Sequence, residues 1–318
     1  MRAGPDRQDN PTIASTLGLT ALTPRETLPM TATIIECALN GPWTRKRQPL
    51  IPVSVNECIA DGLACVAAGA SILHVHPYDE TRGVQCDEWE IYARIIEGIR
   101  TRVDVPVYPT IPLGEDGSGR PEAAARYSAT AQLAARGLID IAAVDPGSVN
   151  FTLANGEPGF VYANPEEDIL HGLALAAEHR FKPAYAIYEP GFLRTGAALH
   201  RRVQGAPEPL YRFMFSSDFL FGFPPEPYGL DALLLLKADC APDAPWMVSG
   251  LGVDITPLIS RTVMRGGHLR VGLEDAPLGS TLNNVQWVER AARAVETAGG
   301  SVASPTVMRQ ILDLKKTP

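Results

Sequence analysis

Two histidines separated by a single residue carry the clearest chemical signal in the sequence. His74 and His76 lie in an apolar run that reads Ile-Leu-His-Val-His-Pro. Residues i and i+2 of a β-strand point to the same face, so both imidazoles project together. Two imidazoles at this spacing can bind one zinc ion through bonds of about 2.0–2.1 Å. The same pattern also occurs in core or hydrogen-bonded histidine pairs, and the spacing alone leaves both interpretations open.

The segment Gly-Gly-His-Leu-Arg-Val-Gly-Leu-Glu-Asp at 266–275 carries a second group of candidate residues. Glu274 and Asp275 stand where a strand pattern ends, and adjacent carboxylates there point to different sides. One of them can therefore bind a metal while the other acts as a base. Arg270 faces the same side as Glu274 and can bind an anionic substrate. Taken alone, the segment favours a simpler interpretation, a surface arginine followed by two capping acids.

Polar residues also follow other strand patterns. Thr110 ends the third pattern, Asp145 follows the fourth, and Glu189 ends the fifth. The carboxyl ends of the strands form the catalytic rim of an α/β barrel, so these three residues are candidates for substrate binding. Asp145 also begins an Asp-Pro-Gly sequence that is typical of an ordinary turn.

Eight short apolar runs alternate with helical patterns from residue 33 onward. The runs have the length and apolar character of buried parallel strands and cover 33–40, 71–76, 105–111, 139–145, 184–189, 211–216, 246–249 and 269–273. Helical periodicity covers 54–68, 88–102, 121–136, 165–179, 229–238 and 256–265. A doubly wound sheet usually carries GxGxxG after its first strand, but NGPWTRKRQPLIP stands there. We therefore predict an α/β protein of the (β/α)8 TIM-barrel class.

Length and composition narrow the class of protein further. The chain has 318 residues, 45% of them apolar and 20% charged, which suits one soluble barrel with a large core. A net charge of −8 argues against a nucleic-acid partner, which needs clustered basic residues. No apolar run approaches the roughly 20 residues of a membrane span, so we expect no membrane partner. The five cysteines include no CxxC pair, which favours a reducing cytoplasm.

The N-terminal segment differs from the rest of the chain. Residues 1–31 are polar and contain proline and threonine, whereas the first strand pattern begins after Met30. We predict a flexible extension over 1–31 and one catalytic barrel over 32–318. The same pattern would also arise if the start codon had been assigned too early and Met30 were the true initiator. Protein that begins at Met30 is expected to keep its activity and melting temperature, because the segment has little apolar periodicity. Thermal melts and turnover assays test this, and a large loss of either would show that the segment is structural.

Taken together, the motifs resemble one family, the β-keto acid cleavage enzymes, which includes the 3-keto-5-aminohexanoate cleavage enzyme. The resemblance covers nearly all of 32–314. Its marks are the His-x-His pair, ALNG at 38–41, DPGSVNF at 145–151, YEPG at 188–191 and GGHLRVGLED at 266–275. It implies a zinc-dependent barrel that converts a β-keto acid and acetyl-CoA into acetoacetate and a new acyl-CoA. Members of this family commonly form dimers or tetramers, so the resemblance also implies a homo-oligomer.

The resemblance also implies roles for particular residues. His74, His76 and Glu274 match the metal ligands, and Asp275 matches the position proposed as the general base. The other matches are Arg270, a catalytic-site arginine, and Thr110, a hydroxyl residue that binds substrate. Asn40, in the opening motif, and Trp43, just past it, complete the candidates for substrate binding.

The chain departs from the family pattern at several positions. Pro77 and Tyr78 stand where an arginine usually follows the histidine pair, and Ala276 stands where asparagine is common. Trp43 and Ala186 occupy two positions where an enzyme for an amino substrate is expected to carry acids. An ammonium-bearing substrate would lack its counter-charges, so we predict a β-keto acid without an amino group.

Two other functions remain compatible with the same residues. A metal-dependent hydrolase or aldolase on the same barrel would turn over without acetyl-CoA. A non-catalytic member with a structural metal site would need neither Arg270 nor Asp275, and the presence of both argues against it.

Overall fold

A computed structural model describes residues 32–112 and 122–314 of the chain. Eight parallel strands form a nearly closed barrel, which confirms the predicted fold. In chain order they are β1 Ile35–Ala38, β2 Ile72–Val75, β3 Val107–Pro109, β4 Ile141–Ala143, β5 Lys182–Ile187, β6 Leu210–Phe215, β7 Trp246–Gly250 and β8 His268–Val271. The extension predicted over 1–31 lies outside the described residues.

The strand order brings the two ends of the barrel domain together. The ladder runs β3-β2-β1-β8-β7-β6-β5-β4, so the first and last strands are hydrogen-bonded neighbours. Glu36 on β1 pairs with Arg270 on β8, and Ala38 on β1 pairs with His74 on β2. These pairings place the histidine motif and the 266–275 segment on either side of β1.

Ten helices occur among residues 32–112 and 122–314. They are α1 Val55–Ala67, α2 Trp89–Arg100, α3 Ala123–Arg126, α4 Ser128–Ala135, α5 Glu166–His179, α6 Pro190–His200, α7 Pro227–Cys240, α8 Thr256–Met264, α9 Asn284–Thr297 and α10 Pro305–Ile311. The six predicted helical segments are present, with 121–136 divided into α3 and α4. The sequence patterns did not identify α6, α9 or α10. One missed signal was the capping box of α9, in which Asn283 and Gln286 bond to each other's backbone N–H groups.

Two short antiparallel hairpins interrupt the barrel on its carboxyl side. The first joins Tyr78–Asp79 to Val84–Gln85. The second, which we call the rim hairpin, joins Val149–Phe151 to Phe160–Tyr162. Neither was predicted, because strands of two or three residues are too short to show a clear alternation.

The amino end of the barrel is filled by a separate apolar cluster. Its barrel members include Ile34, Ile72, Ile141 and Leu210, which lie at or next to the starts of their strands. Met308 of α10 belongs to the same cluster, so this helix packs against that end of the barrel. No helix of the described ranges is both long enough and apolar enough to cross a membrane.

His268, the histidine of the 266–275 segment, has a structural position at the start of β8. It is buried, and its Nδ1 accepts a hydrogen bond from the backbone N–H of Ile34 at 3.2 Å. Burial lowers the pKa of His268 from 6.5 to about 4. Between these two pH values the unfolded chain binds a proton that the folded chain does not, so the free energy of unfolding falls as the pH drops.

His268→Asn keeps an acceptor for Ile34 but cannot titrate. Wild-type protein is expected to lose about 2 kcal/mol more stability than this variant between pH 6.5 and 5, since one pKa unit corresponds to about 1.4 kcal/mol. Urea unfolding of both proteins at the two pH values measures the difference. Equal losses in both proteins would contradict a neutral, buried His268.

Candidate functional site

His74, His76 and Glu274 meet at the carboxyl end of the barrel. The Nε2 atoms of the two histidines are 3.2 Å apart, and the Oε2 atom of Glu274 lies 3.3 Å from His74 and 3.4 Å from His76. All three side chains are buried. Ligands bound to one tetrahedral ion with bonds of about 2.0–2.1 Å are separated by about 3.3 Å, so the spacing fits a divalent metal.

Other polar atoms at the site support the same interpretation. The Oε2 atom of Glu274 is buried without a hydrogen-bond partner among the described residues, although it faces two imidazole nitrogens. The far nitrogen of His76, Nδ1, lies 2.8 Å from Oε1 of Gln85 in the first hairpin. In metal-binding histidines, the ring nitrogen that does not bind the metal usually forms a hydrogen bond of this kind, which fixes the ring orientation.

The charge states suit metal binding. Burial lowers the pKa of His74 well below its usual range, so the ring stays neutral and keeps a lone pair for a metal. Burial alone would raise the pKa of Glu274. The Arg270 guanidinium at 2.7 Å, with the two histidines, outweighs that effect and holds this pKa well below its usual range. Glu274 is therefore an anion before any metal binds.

The opening motif at 38–41 positions two of these ligands. Asn40 accepts a hydrogen bond from the backbone N–H of His76 at 2.8 Å and donates one to the carbonyl oxygen of the same residue at 3.0 Å. Gly41 has a φ of +62°, and a Cβ at this position would lie 2.6 Å from Cγ of Glu274. Only glycine fits there without displacing the glutamate.

Arg270 and Asp275 form a buried pair next to the triad. The Nε and Nη2 atoms of Arg270 donate to the two carboxylate oxygens of Asp275, each at 2.9 Å. Ser249 donates a further hydrogen bond to Asp275 at 2.8 Å, and Glu36 accepts one from Arg270 at 3.3 Å. Burial raises the pKa of Asp275 above its usual value in spite of Arg270. A carboxylate with a raised pKa is a stronger base than an exposed one.

A cavity of about 460 Å³ opens above these residues. Seven of the ten candidate residues from the sequence line it, namely Trp43, His74, His76, Thr110, Asp145, Arg270 and Glu274. The other three, Asn40, Glu189 and Asp275, do not. Asn40 is bonded to the backbone of His76, Asp275 is bonded to Arg270, and Glu189 precedes α6 and accepts a hydrogen bond from Gly222 N–H at 3.2 Å.

The beta-keto acid cleavage enzyme family profile matches residues 32–314, a span that contains all of the described residues. The chain belongs to the beta-keto acid cleavage enzyme family. This confirms the resemblance seen in the sequence motifs, and it makes the chain an acyl-transferring enzyme.

Two relatives illustrate how far the likeness extends. The chain is 28% identical to the 3-oxoadipate:acetyl-CoA acetyltransferase of Cupriavidus necator over 88% of this chain and 94% of the relative. It is 27% identical to the 3-keto-5-aminohexanoate cleavage enzyme of Fusobacterium nucleatum over 89% of this chain and 98% of the relative. Among solved structures, a complex of ObcA with oxaloacetate superposes with a TM-score of 0.66 at 13% identity, covering 84% of this chain and 68% of that one. That superposition supports the barrel fold.

Within this beta-keto acid cleavage enzyme, the departures from the family pattern have structural roles. The Tyr78 hydroxyl donates to the carbonyl oxygens of Gly41, at 2.6 Å, and Trp43. It therefore holds the loop after β1 in place. The Trp43 indole N–H donates to the carbonyl oxygen of Glu274 at 2.8 Å, while its ring lines the cavity. Ala186 on β5 lines the cavity as well.

Sequence reasoning missed three charged residues that line the cavity of this enzyme, the exposed Arg47 and Glu157 and the buried Arg212. Arg212 on β6 is buried, lines the cavity, and lies 3.7 Å from Asp145. It also donates to the Tyr108 hydroxyl at 3.0 Å, and Tyr108 donates to Glu36 at 2.5 Å. An arginine inside the otherwise apolar strand Leu-Tyr-Arg-Phe-Met-Phe was the signal that could have identified it.

Proposed function

We propose that this chain is a zinc-dependent β-keto acid cleavage enzyme. It condenses a β-keto acid without an amino group with acetyl-CoA, and releases acetoacetate and a new acyl-CoA. The observation that carries the proposal is the His74, His76 and Glu274 triad, which shares one cavity with Arg270. The names of relatives support acetyl-CoA as the second substrate, since the 3-oxoadipate enzyme and a 3,5-dioxohexanoate enzyme both carry it in their descriptions.

Each residue has a role that follows from its position. The triad would hold the zinc ion, which when bound would polarise the β-keto group and the carboxylate of the substrate. Arg270 and Thr110 line the cavity and bind the substrate carboxylate. Asp275 is the base in this proposal and takes the proton from the carbon between the two carbonyl groups. It lies behind Arg270, fixed by Arg270 and Ser249, so Arg270 must shift towards the substrate carboxylate to expose it. Asn40 keeps the His76 backbone in place.

The bond changes then balance without a redox cofactor. The deprotonated carbon of the β-keto acid bonds to the acetyl carbonyl carbon, and the CoA thiolate leaves. The thiolate attacks the original keto carbon, the older carbon–carbon bond breaks, and the electron pair returns to the carbon that becomes C2 of acetoacetate. A proton on that carbon completes the product, and Asp275 can return the one it removed.

The cavity supports a substrate without an amino group. The indole of Trp43 and the methyl group of Ala186 provide no counter-charge, and a buried, unpaired ammonium is costly. An uncharged tail can bury apolar surface against Trp43 instead. Glu189 does not line the cavity, and the two aspartate or glutamate residues outside the triad that do line it already face arginines: Asp145 lies 3.7 Å from Arg212, and Glu157 lies 3.7 Å from Arg47.

Trp43→Glu is expected to shift preference towards 3-keto-5-aminohexanoate, because it adds a carboxylate at the cavity wall. Wild-type enzyme is expected to favour a neutral β-keto acid of similar size. Trp43→Phe is the control, since it also loses the indole N–H but adds no charge. Competing-substrate kinetics give the ratio of kcat/KM for all three proteins. If the wild-type enzyme favours the amino compound, the argument about the cavity is wrong even though the reaction class stands.

A metal assay combined with a panel of β-keto acids tests the whole proposal. Purified protein should contain about one zinc ion per chain and form a new acyl-CoA only when acetyl-CoA is present. Turnover of the β-keto acid without acetyl-CoA would instead identify a hydrolase or an aldolase. Bound metal with no turnover of any substrate would identify a non-catalytic member.

We also propose a cytoplasmic homo-oligomer, a dimer or a tetramer. All five cysteines are free in the structure, which agrees with a reducing compartment. Light scattering on the purified protein measures the number of copies in the assembly.

A further inference from the structure

One side of the cavity is lined by aromatic rings. Phe151, Phe160 and Tyr162 belong to the rim hairpin, while Tyr188 follows β5 and Phe219 follows β6. We call these five residues the aromatic wall. The triad comes from β2 and the end of β8, and the aromatic wall follows β4, β5 and β6. The strand order therefore puts the two groups on opposite sides of the barrel mouth.

The rings of the aromatic wall support one another. The Phe151 ring centroid lies 5.1 Å from those of Phe160 and Tyr188, 5.4 Å from that of Phe219 and 5.8 Å from that of Tyr162. Three of these four contacts are edge-to-face or tilted, an arrangement that stabilises aromatic pairs. Because each ring is held by its neighbours, the aromatic wall presents a defined surface to a ligand.

Small side chains leave room in front of the aromatic wall. Ala143 on β4 and Ala186 on β5 both line the cavity and end at Cβ. A cavity of about 460 Å³ lies in the size range that encloses drug-sized ligands. A short β-keto acid bound at the triad would leave the space next to the alanines unfilled by its tail.

The charges on this side compensate one another. Asp145 faces Arg212 at 3.7 Å and accepts hydrogen bonds from the Tyr162 hydroxyl at 2.7 Å and from the backbone N–H of Ala186 at 2.9 Å. A cationic tail would be repelled by the nearby Arg212, and an anionic tail would be repelled by the nearby Asp145. A neutral tail meets neither repulsion.

We propose that the aromatic wall and the two alanines form the binding site for the acyl tail, and that this tail is bulky, uncharged and preferably aromatic. This inference rests on the proposed function, and it adds the class of β-keto acid that the enzyme takes. The carboxylate end binds at the triad and Arg270, while the tail reaches across the mouth to the rings of the aromatic wall.

Two charged types of tail are the alternatives that a substrate series can distinguish from a neutral tail. A quaternary ammonium group is attracted to the faces of aromatic rings, and a carboxylate is attracted to a guanidinium such as Arg212. The charge compensation between Asp145 and Arg212 disfavours both. A preference for either charged tail would overturn the inference.

A substrate series with one constant head group provides the measurement. The tails are n-propyl, 2-phenylethyl, a carboxylate-terminated chain and a trimethylammonium-terminated chain, each assayed with acetyl-CoA by the acyl-CoA formed. We expect kcat/KM for the phenylethyl tail to exceed that for propyl by about tenfold or more, and both charged tails to be at least tenfold poorer than phenylethyl. If no acyl-CoA forms from any tail, the proposed function fails; if the propyl or a charged tail is preferred, only this inference fails.

Two variants and a matched control locate the site. Ala186→Phe fills the space in front of the aromatic wall, and Phe160→Ala removes one ring from it. Each is expected to lower the phenylethyl-to-propyl ratio by about tenfold. Phe160 is 39% exposed, so its variant should fold even if Ala186→Phe does not. Val161→Ala, next in the same strand, 59% exposed and outside the cavity lining, should leave the ratio unchanged. An unchanged ratio in Phe160→Ala would overturn the assignment.

Discussion

His76→Ala is expected to remove the bound metal and to abolish turnover. The variant leaves His74 and Glu274 as a two-ligand set, and it also removes the ring that Gln85 orients. A bound metal contributes several kcal/mol to stabilising the transition state, which corresponds to a loss of about a thousandfold or more in kcat. Elemental analysis of the purified variant and a turnover assay with acetyl-CoA measure the two effects.

A surface histidine provides the control for this experiment. His179 ends α5, pairs with Glu178 at 3.8 Å, and lies far in sequence from both motifs. His179→Ala should keep about one metal ion per chain and wild-type kcat. A His76→Ala protein that retains stoichiometric metal would show that the triad is not the metal site.

Asp275→Asn should reduce kcat by about 100-fold to 10,000-fold, the usual range for the loss of a general base. The amide has the size of the carboxylate and keeps one oxygen acceptor for Arg270, but it cannot take a proton. Because burial raises the pKa of Asp275, the acid limb of the wild-type pH–rate profile should lie above the range of an ordinary aspartate. Activity should fall as the pH drops through that value, and the variant should lack this limb.

Asp231→Asn is the matched control, because Asp231 also pairs with an arginine, Arg261, but on the helical exterior. Its pH–rate profile should match that of the wild type. If Asp275→Asn weakens substrate binding but keeps kcat and the acid limb, Asp275 only holds Arg270, and another group removes the proton.

Much of the site could be predicted from the sequence, because it depends on the alternation of side chains along a strand and on where strands end. His74 and His76 share a face by alternation alone, and Glu274 lies in the turn just past the end of β8, the strand that pairs with β1. The burial of Arg270 could not be inferred in this way. Its partners are Glu274 and Asp275, just after its own strand, and Glu36 on β1, which only the folded barrel brings next to it.

Other features of the site depend on contacts that no local pattern encodes. Asn40 was expected to bind substrate, whereas its amide bonds to the backbone of the neighbouring strand. Glu189 was expected at the rim, but its strand ends at Ile187 and its carboxylate turns towards Gly222. The aromatic wall depends on the rim hairpin, whose three-residue strands gave no periodic signal.

The pairing of β1 with β8 also bears on the order in which this protein matures. A chain is made from its amino end, so both histidines exist long before Glu274, and domains fold as units once their sequence is complete. The ladder from β1 to β8 cannot form until the last strand has been synthesised. The third residue of the triad therefore joins the two histidines only when the ring of strands closes, so uptake of the proposed metal would be a late event in biogenesis that requires a finished barrel.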